Sequence, residues 1–149
     1  MITEKEIDLL LEKIESNPDF FQKRIAYFSN KYPGFFHHIS KESFILSDAE
    51  KDYLVGILCF IFEIINIDFL EDGSEYAENE DQNWALLDSN KSLSKVFDIW
   101  FQNFSEEDLL AYIEDALAED EEDFLSKVGR EFIAIKSKTL LDMYIATKD

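Results

Sequence analysis

Residues that form tight turns are scarce in this chain, and this scarcity limits the folds open to it more than any other feature. The 149 residues include only four Gly and two Pro. A sheet of many short strands needs turn chemistry between each pair of strands, and this chain has little of it. The composition therefore favours an all-α fold. Because 149 residues is a usual length for one domain, we expect a single helical domain over residues 1–149.

Capping signals mark the starts of several helices. Thr3 is followed three residues later by Glu6, and Ser47 by Glu50, which is the spacing of a capping box. Apolar residues then recur at intervals of three and four, as on one face of a helix. We predict a bundle of five or six helices. Short connections predict antiparallel hairpins between helices one and two and between helices four and five.

The most apolar part of the chain predicts a buried central helix at about 48–67. Residues 53–62 carry no charge, and Glu63 ends the run. A membrane span needs about 20 mostly apolar residues, so we expect no membrane segment. The single cysteine, Cys59, lies in this run and forms no intrachain disulfide. A reducing compartment fits this, and residues 1–15 do not resemble a signal peptide, so we expect a cytoplasmic protein.

Three segments have a less definite pattern. Residues 35–45 fit either a short helix or a loop. Residues 68–83 are rich in acids, and we predict an exposed acidic loop there, with a helical turn around residues 76–84 as the alternative. The last helix is expected to break or bend near Gly129, and residues 132–135 fit either a helix or a short strand because they are rich in β-formers.

The negative charge is concentrated in two windows. Residues 52–90 contain ten acids and residues 96–126 contain eleven, with no Lys or Arg in either window. The rest of the chain has twelve acids and fourteen bases, so these windows account for the net charge of −19. Such a field attracts basic proteins and repels nucleic acid and anionic membranes. We therefore expect a basic protein partner and no direct binding of nucleic acid.

Two acidic segments are the predicted contact surface for that partner. One is the run at 119–123 with the helix that leads into it, and the other lies in the predicted acidic loop. Like charges this close repel one another, and a basic partner would relieve that repulsion. The predicted partner-binding residues are Asp115, Glu119, Asp120, Glu121, Glu122, Asp123, Glu71, Asp72 and Glu75.

No motif predicts a catalytic, cofactor-binding or metal-binding residue. A calcium loop starting at Asp68 would place Leu70 and Asn79 at positions that need carboxylate ligands. His37 and His38 are adjacent and point in different directions, so they do not chelate one ion together. Phosphate-binding loops and nucleophile elbows are absent from the sequence. These observations favour a non-enzymatic role.

The functional hypothesis from the sequence is a small acidic interaction module that binds a basic protein, in the manner of an immunity protein or inhibitor. Three alternatives stay open. One is a helical domain that binds a ligand or catalyses a reaction in a pocket between helices. Another is a nucleic-acid mimic whose carboxylates imitate phosphates. The third is a purely structural or assembly role, for instance as a homo-oligomer. The sequence does not indicate the oligomeric state or the identity of the partner.

Overall fold

The computed structural model describes residues 1–65, 74–118 and 124–147. Within these ranges the chain is all-helical, with no strand. The helices are α1 (Glu4–Ser16), α2 (Pro18–Lys31), α3 (Pro33–Glu42), α4 (Asp48–Ile65), α5 (Ser74–Asn90), α6 (Leu93–Asn103), α7 (Glu107–Ala116) and α8 (Lys127–Thr147), and a short 3₁₀ helix (Ser43–Ile45) joins α3 to α4.

The all-α prediction is confirmed, but the described residues form eight α-helices where five or six were predicted. Part of the difference comes from residues 35–45, which form most of α3 and the 3₁₀ helix. Pro33 starts α3, because its fixed φ and missing N–H suit a first helical turn. Helices α1 and α2 contact each other, as do α6 and α7. The antiparallel arrangement of these pairs stays a prediction.

Both predicted capping boxes are present. The Thr3 hydroxyl accepts a hydrogen bond from the Glu6 N–H, and the Glu6 carboxylate accepts one from the Thr3 N–H. Ser47 and Glu50 make the same reciprocal pair at the start of α4. These contacts span three residues, so local sequence is sufficient to specify them.

Two helices form the centre of the molecule. Helix α4 is as apolar as predicted, with Leu58, Cys59 and Ile61 fully buried. Helix α8 is buried along most of its length and packs against both α4 and α5. No helix in the described ranges is long and apolar enough to cross a bilayer.

The predicted break near Gly129 is wrong. Helix α8 is one continuous α-helix, Gly129 lies in its first turn, and residues 132–135 are helical. Tertiary packing overrides the local β propensity here, because Phe132, Ile133 and Ile135 are all buried in the core.

The prediction of an acidic loop at 68–83 is wrong from residue 74 onward, where the chain is helical. Helix α5 begins at Ser74, and residues 68–73 lie outside the described residues. The buried face of α5 consists of Tyr76, Glu80, Asn83 and Leu87, which recur at helical spacing. Two of these four side chains are polar, so hydrophobic periodicity did not reveal the helix.

Candidate functional site

The predicted partner-binding residues are only partly placed by the structure. Asp115 is exposed on α7. Glu75 belongs to α5, but its side chain lies outside the described set. The others lie outside the described residues altogether: Glu71, Asp72, Glu119, Asp120, Glu121, Glu122 and Asp123.

Asp115 lines a groove between α1 and α7, which we call the acidic groove. It encloses about 490 Å³. Its acidic lining residues are Glu4, Asp8, Asp108 and Asp115, and its other lining residues are Ile7, Leu11, Tyr53, Ala111, Tyr112 and Ala116. No Lys or Arg is among these described lining residues. The acidic groove therefore combines an apolar lining with four carboxylates and no internal cation.

The helix starts on either side of the acidic groove are tied together by carboxylates. Asp108 accepts a hydrogen bond from the Glu4 N–H at 3.1 Å. The buried Glu106 carboxylate accepts one from the Ile2 N–H at 3.0 Å. Free N–H groups at a helix start carry partial positive charge, so acceptors of this kind stabilise the α1 end.

Two tyrosines form an apolar wall of the acidic groove, and a contact with another residue holds each of them in place. The Tyr112 ring stacks on Phe60 with ring centroids 4.3 Å apart. The Tyr53 hydroxyl donates to the Ala116 carbonyl at 2.5 Å. Burial raises the pKa of Tyr112, and the neighbouring Tyr53 raises it further, so Tyr112 stays neutral at physiological pH. A smaller apolar cavity of about 240 Å³ shares Leu11, Tyr53 and Tyr112 with the groove and extends it.

Negative charge is crowded near the C-terminal end of α7. Burial raises the pKa of Glu114, and the like charges of Asp115 and Asp98 raise it further. Repulsion of this kind disfavours the ionised carboxylate in the folded state. A cation placed near these groups would lower the energy of the ionised form.

A second polar site lies where α3, α5 and α8 meet, and it shares no residue with the acidic groove. Lys136 on α8 is fully buried. Its ammonium donates to Glu80 Oε1 at 2.6 Å and to Glu42 Oε2. Burial by itself would raise the pKa of Glu42, but the Lys136 ammonium, together with His38 and Glu80, outweighs it and the pKa is lowered.

Two aromatic side chains lie beside this ion pair. Tyr76 is fully buried and donates its hydroxyl to the Lys136 carbonyl at 2.9 Å. Burial raises the pKa of Tyr76 well above its ordinary value, and the nearby Glu80 and Glu42 carboxylates add to the effect. The Trp84 indole N–H donates to Glu80 Oε2 at 3.0 Å. The Glu80 carboxylate is therefore held at both oxygens.

His38 faces the same two carboxylates. Its Nε2 lies 3.6 Å from Glu42 Oε1 and 3.5 Å from Glu80 Oε1. No local pattern in the sequence pointed to this group of three side chains. His38 and Glu42 are four residues apart, a spacing that brings side chains together on a helix, but the sequence left residues 35–45 as either a short helix or a loop and so did not decide whether these two side chains meet. Glu80 lay in the predicted loop, so no local signal linked it to His38.

The acidic groove offers carboxylates and apolar surface to a cationic ligand, whereas the cluster around Lys136 offers an imidazole and two fixed carboxylates. Comparisons of the chain with protein-family models, with curated proteins and with solved structures found no match, so function has to be inferred from the geometry of these two sites.

Proposed function

We propose that this chain is a protein-interaction module that binds a basic segment of a partner protein in the acidic groove. Lys or Arg side chains of the segment would pair with Glu4, Asp8, Asp108 and Asp115. A large apolar side chain of the segment would pack against Tyr53 and Tyr112. The observation that carries the proposal is the combination of four carboxylates with apolar lining and no lining cation.

The charge distribution supports a basic occupant over an acidic or neutral one. Carboxylates in a concave surface attract cations and speed their association. The raised pKa of Glu114 reflects burial together with repulsion from Asp115 and Asp98, and a basic segment would relieve that repulsion. The long base-free windows extend the same field beyond the groove.

The apolar lining supports a segment with an anchor side chain over a simple polycation. Interfaces gain most of their binding energy from a few buried aromatic or Arg side chains. Tyr53 and Tyr112 are held by Ala116 and Phe60, so they present a preformed surface. An amphipathic basic helix lying in the groove is a recurring mode of recognition that meets both requirements.

The test compares two charge-reversed variants that have the same net charge. Asp8→Lys with Asp115→Lys alters the acidic groove. Asp81→Lys with Asp88→Lys alters two exposed α5 residues outside it. Wild type and both variants are used to select from a displayed library of random peptides at low and at moderate salt.

We expect wild type and the α5 variant to select peptides that combine Lys or Arg with an aromatic residue. The groove variant should bind those peptides about tenfold or more weakly, because electrostatic attraction becomes repulsion. Equal peptide binding by the groove variant and the α5 variant would show that the peptides do not bind in the acidic groove. The same three proteins then serve as baits in a nuclease-treated lysate, where the partner is the protein that the groove variant alone fails to retain.

A small organic cation is the second candidate ligand. The volume of the acidic groove lies within the range of about 300–1,000 Å³ that is typical of small-molecule sites. Ligand-dependent rises in melting temperature across a panel of amphiphilic amines would favour this candidate. The groove variant should abolish those rises, while the α5 variant should retain them.

A further inference from the structure

The second polar site has the arrangement of a metal-ligand set. His38 and Glu42 lie four residues apart on α3, and Glu80 is brought to them by α5. One ligand atom from each residue can be chosen such that all three atoms lie within 4.8 Å of one another. The site is separate from the acidic groove and uses none of its lining residues.

The distances in this site fit an intervening ion better than direct hydrogen bonds. The His38 Nε2 lies 3.5 Å from Glu80 Oε1 and 3.6 Å from Glu42 Oε1, beyond the usual 2.7–3.2 Å for an N–H···O bond. Two ligands about 2.1 Å from a tetrahedral ion are separated by about 3.4 Å. The observed separations are therefore close to those of a coordinated pair.

The burial of the His38 Nε2 atom adds to this indication. This nitrogen is buried, and it has no hydrogen-bond partner among the described residues. Buried polar atoms without a partner are uncommon in folded proteins and call for an explanation. A bound cation between this nitrogen and the two carboxylates would satisfy it.

We propose that His38 Nε2, Glu42 Oε1 and Glu80 Oε1 bind one divalent transition-metal ion, for which Zn²⁺ is the probe. One imidazole with two carboxylates is a donor set that suits such ions. The Glu42 side chain is 40% exposed and that of Glu80 is 8% exposed. The site thus opens to solvent beside Glu42, which leaves a coordination position for water. This proposal departs from the expectation, made from the sequence, that the chain has no metal site.

Lys136 determines how tightly the ion is held. Its ammonium contacts Glu42 through Oε2, which leaves Oε1 directed toward His38. It shares Glu80 Oε1 with the proposed ion, because a carboxylate oxygen has two lone pairs. The ammonium therefore holds both carboxylates in place while its positive charge opposes the ion. Removing that charge should strengthen metal binding.

The first test is calorimetric titration of the full chain with Zn²⁺ in excess Mg²⁺, which occupies weak sites among the surface carboxylates. We expect one Zn²⁺ per chain, with a change in the ¹⁵N chemical shift of His38 Nε2. His38→Gln and Glu42→Gln should each lose this binding. His37→Gln is the matched control, because His37 is the adjacent, exposed residue on the same helix and should leave binding unchanged.

The second test uses Lys136→Met, which keeps an apolar stem and removes the ammonium. Without metal this variant should be less stable than wild type, because two carboxylates then face each other. Zn²⁺ should raise its melting temperature by more than it raises that of wild type. The proposal is overturned if wild type takes up no Zn²⁺, if His38→Gln binds it undiminished, or if Zn²⁺ stabilises Lys136→Met no more than wild type.

Discussion

The Glu50 carboxylate joins the start of α4 to Ser126, the residue before α8. Its Oε2 accepts hydrogen bonds from both the N–H and the hydroxyl of Ser126 at 2.9 Å. Its Oε1 accepts the Ser47 N–H, also at 2.9 Å. One side chain thus completes the local cap of α4 and positions α8, although 76 residues separate Glu50 from Ser126.

Gly129 is needed for this contact. A Cβ atom added at Gly129 would lie 1.8 Å from Glu50 Oε2. We expect Gly129→Ala to lower the free energy of unfolding by about 1–3 kcal/mol, the usual cost of overpacking. Urea denaturation measures this change. Gly34→Ala is the control, because a Cβ there meets nothing within 4 Å, and equal stability of the two variants would contradict the role given to Gly129.

Glu50 should also make stability depend on pH. Burial by itself would raise the pKa of Glu50, but hydrogen bonds from Ser47 and Ser126 outweigh it and lower the pKa below the ordinary 4.5. A lowered folded-state pKa stabilises the fold above pH 4.5, and this stabilisation is lost as the pH falls through the folded-state value. Glu50→Gln should therefore be less stable than wild type at pH 7, with a smaller difference at pH 3. A difference that does not change with pH would refute this explanation.

Glu114 should show the opposite dependence. Burial and the neighbouring Asp115 and Asp98 raise its pKa above 4.5, so its ionised form destabilises the fold at neutral pH. The penalty disappears as the pH falls below 4.5, because the carboxyl is then protonated in both the folded and the unfolded state. We expect Glu114→Gln to raise the melting temperature at pH 7 and to leave it nearly unchanged at pH 3.5. A lower melting temperature at pH 7 would show that Glu114 makes a favourable contact.

The acidic run at 119–123 gives a prediction about association kinetics. Reversing Glu121, Glu122 and Asp123 to Lys should slow association with a basic partner by about tenfold or more at low salt, and the difference should shrink as salt is added. Stopped-flow or surface-based kinetics would measure both rates. The control variant reverses Glu78, Asp81 and Asp88 on α5 to Lys, which makes the same change in net charge outside the run at 119–123. Unchanged association after the first reversal would remove this run from the binding surface.

The features that sequence determined by itself are those specified by residues close together in the chain. The capping boxes at Thr3 and Ser47 form as predicted because donor and acceptor are three residues apart. The central position of α4 follows from its own apolar run. The all-α class follows from helical periodicity and from the scarcity of turn residues, and both can be read locally.

Tertiary structure decided the features that depend on residues far apart in the chain. The full length of helix α5 was missed because its buried face includes Glu80 and Asn83, which find partners far away in the sequence, Lys136 and Thr139 on α8. Gly129 signalled a break, but in the fold it makes room for Glu50. Asp115 was predicted from charge alone, whereas its place in the acidic groove depends on α1, which is tied to α7 by contacts across 104 residues. Such contacts depend on the relative positions of whole helices, and no local pattern of residues encodes those positions.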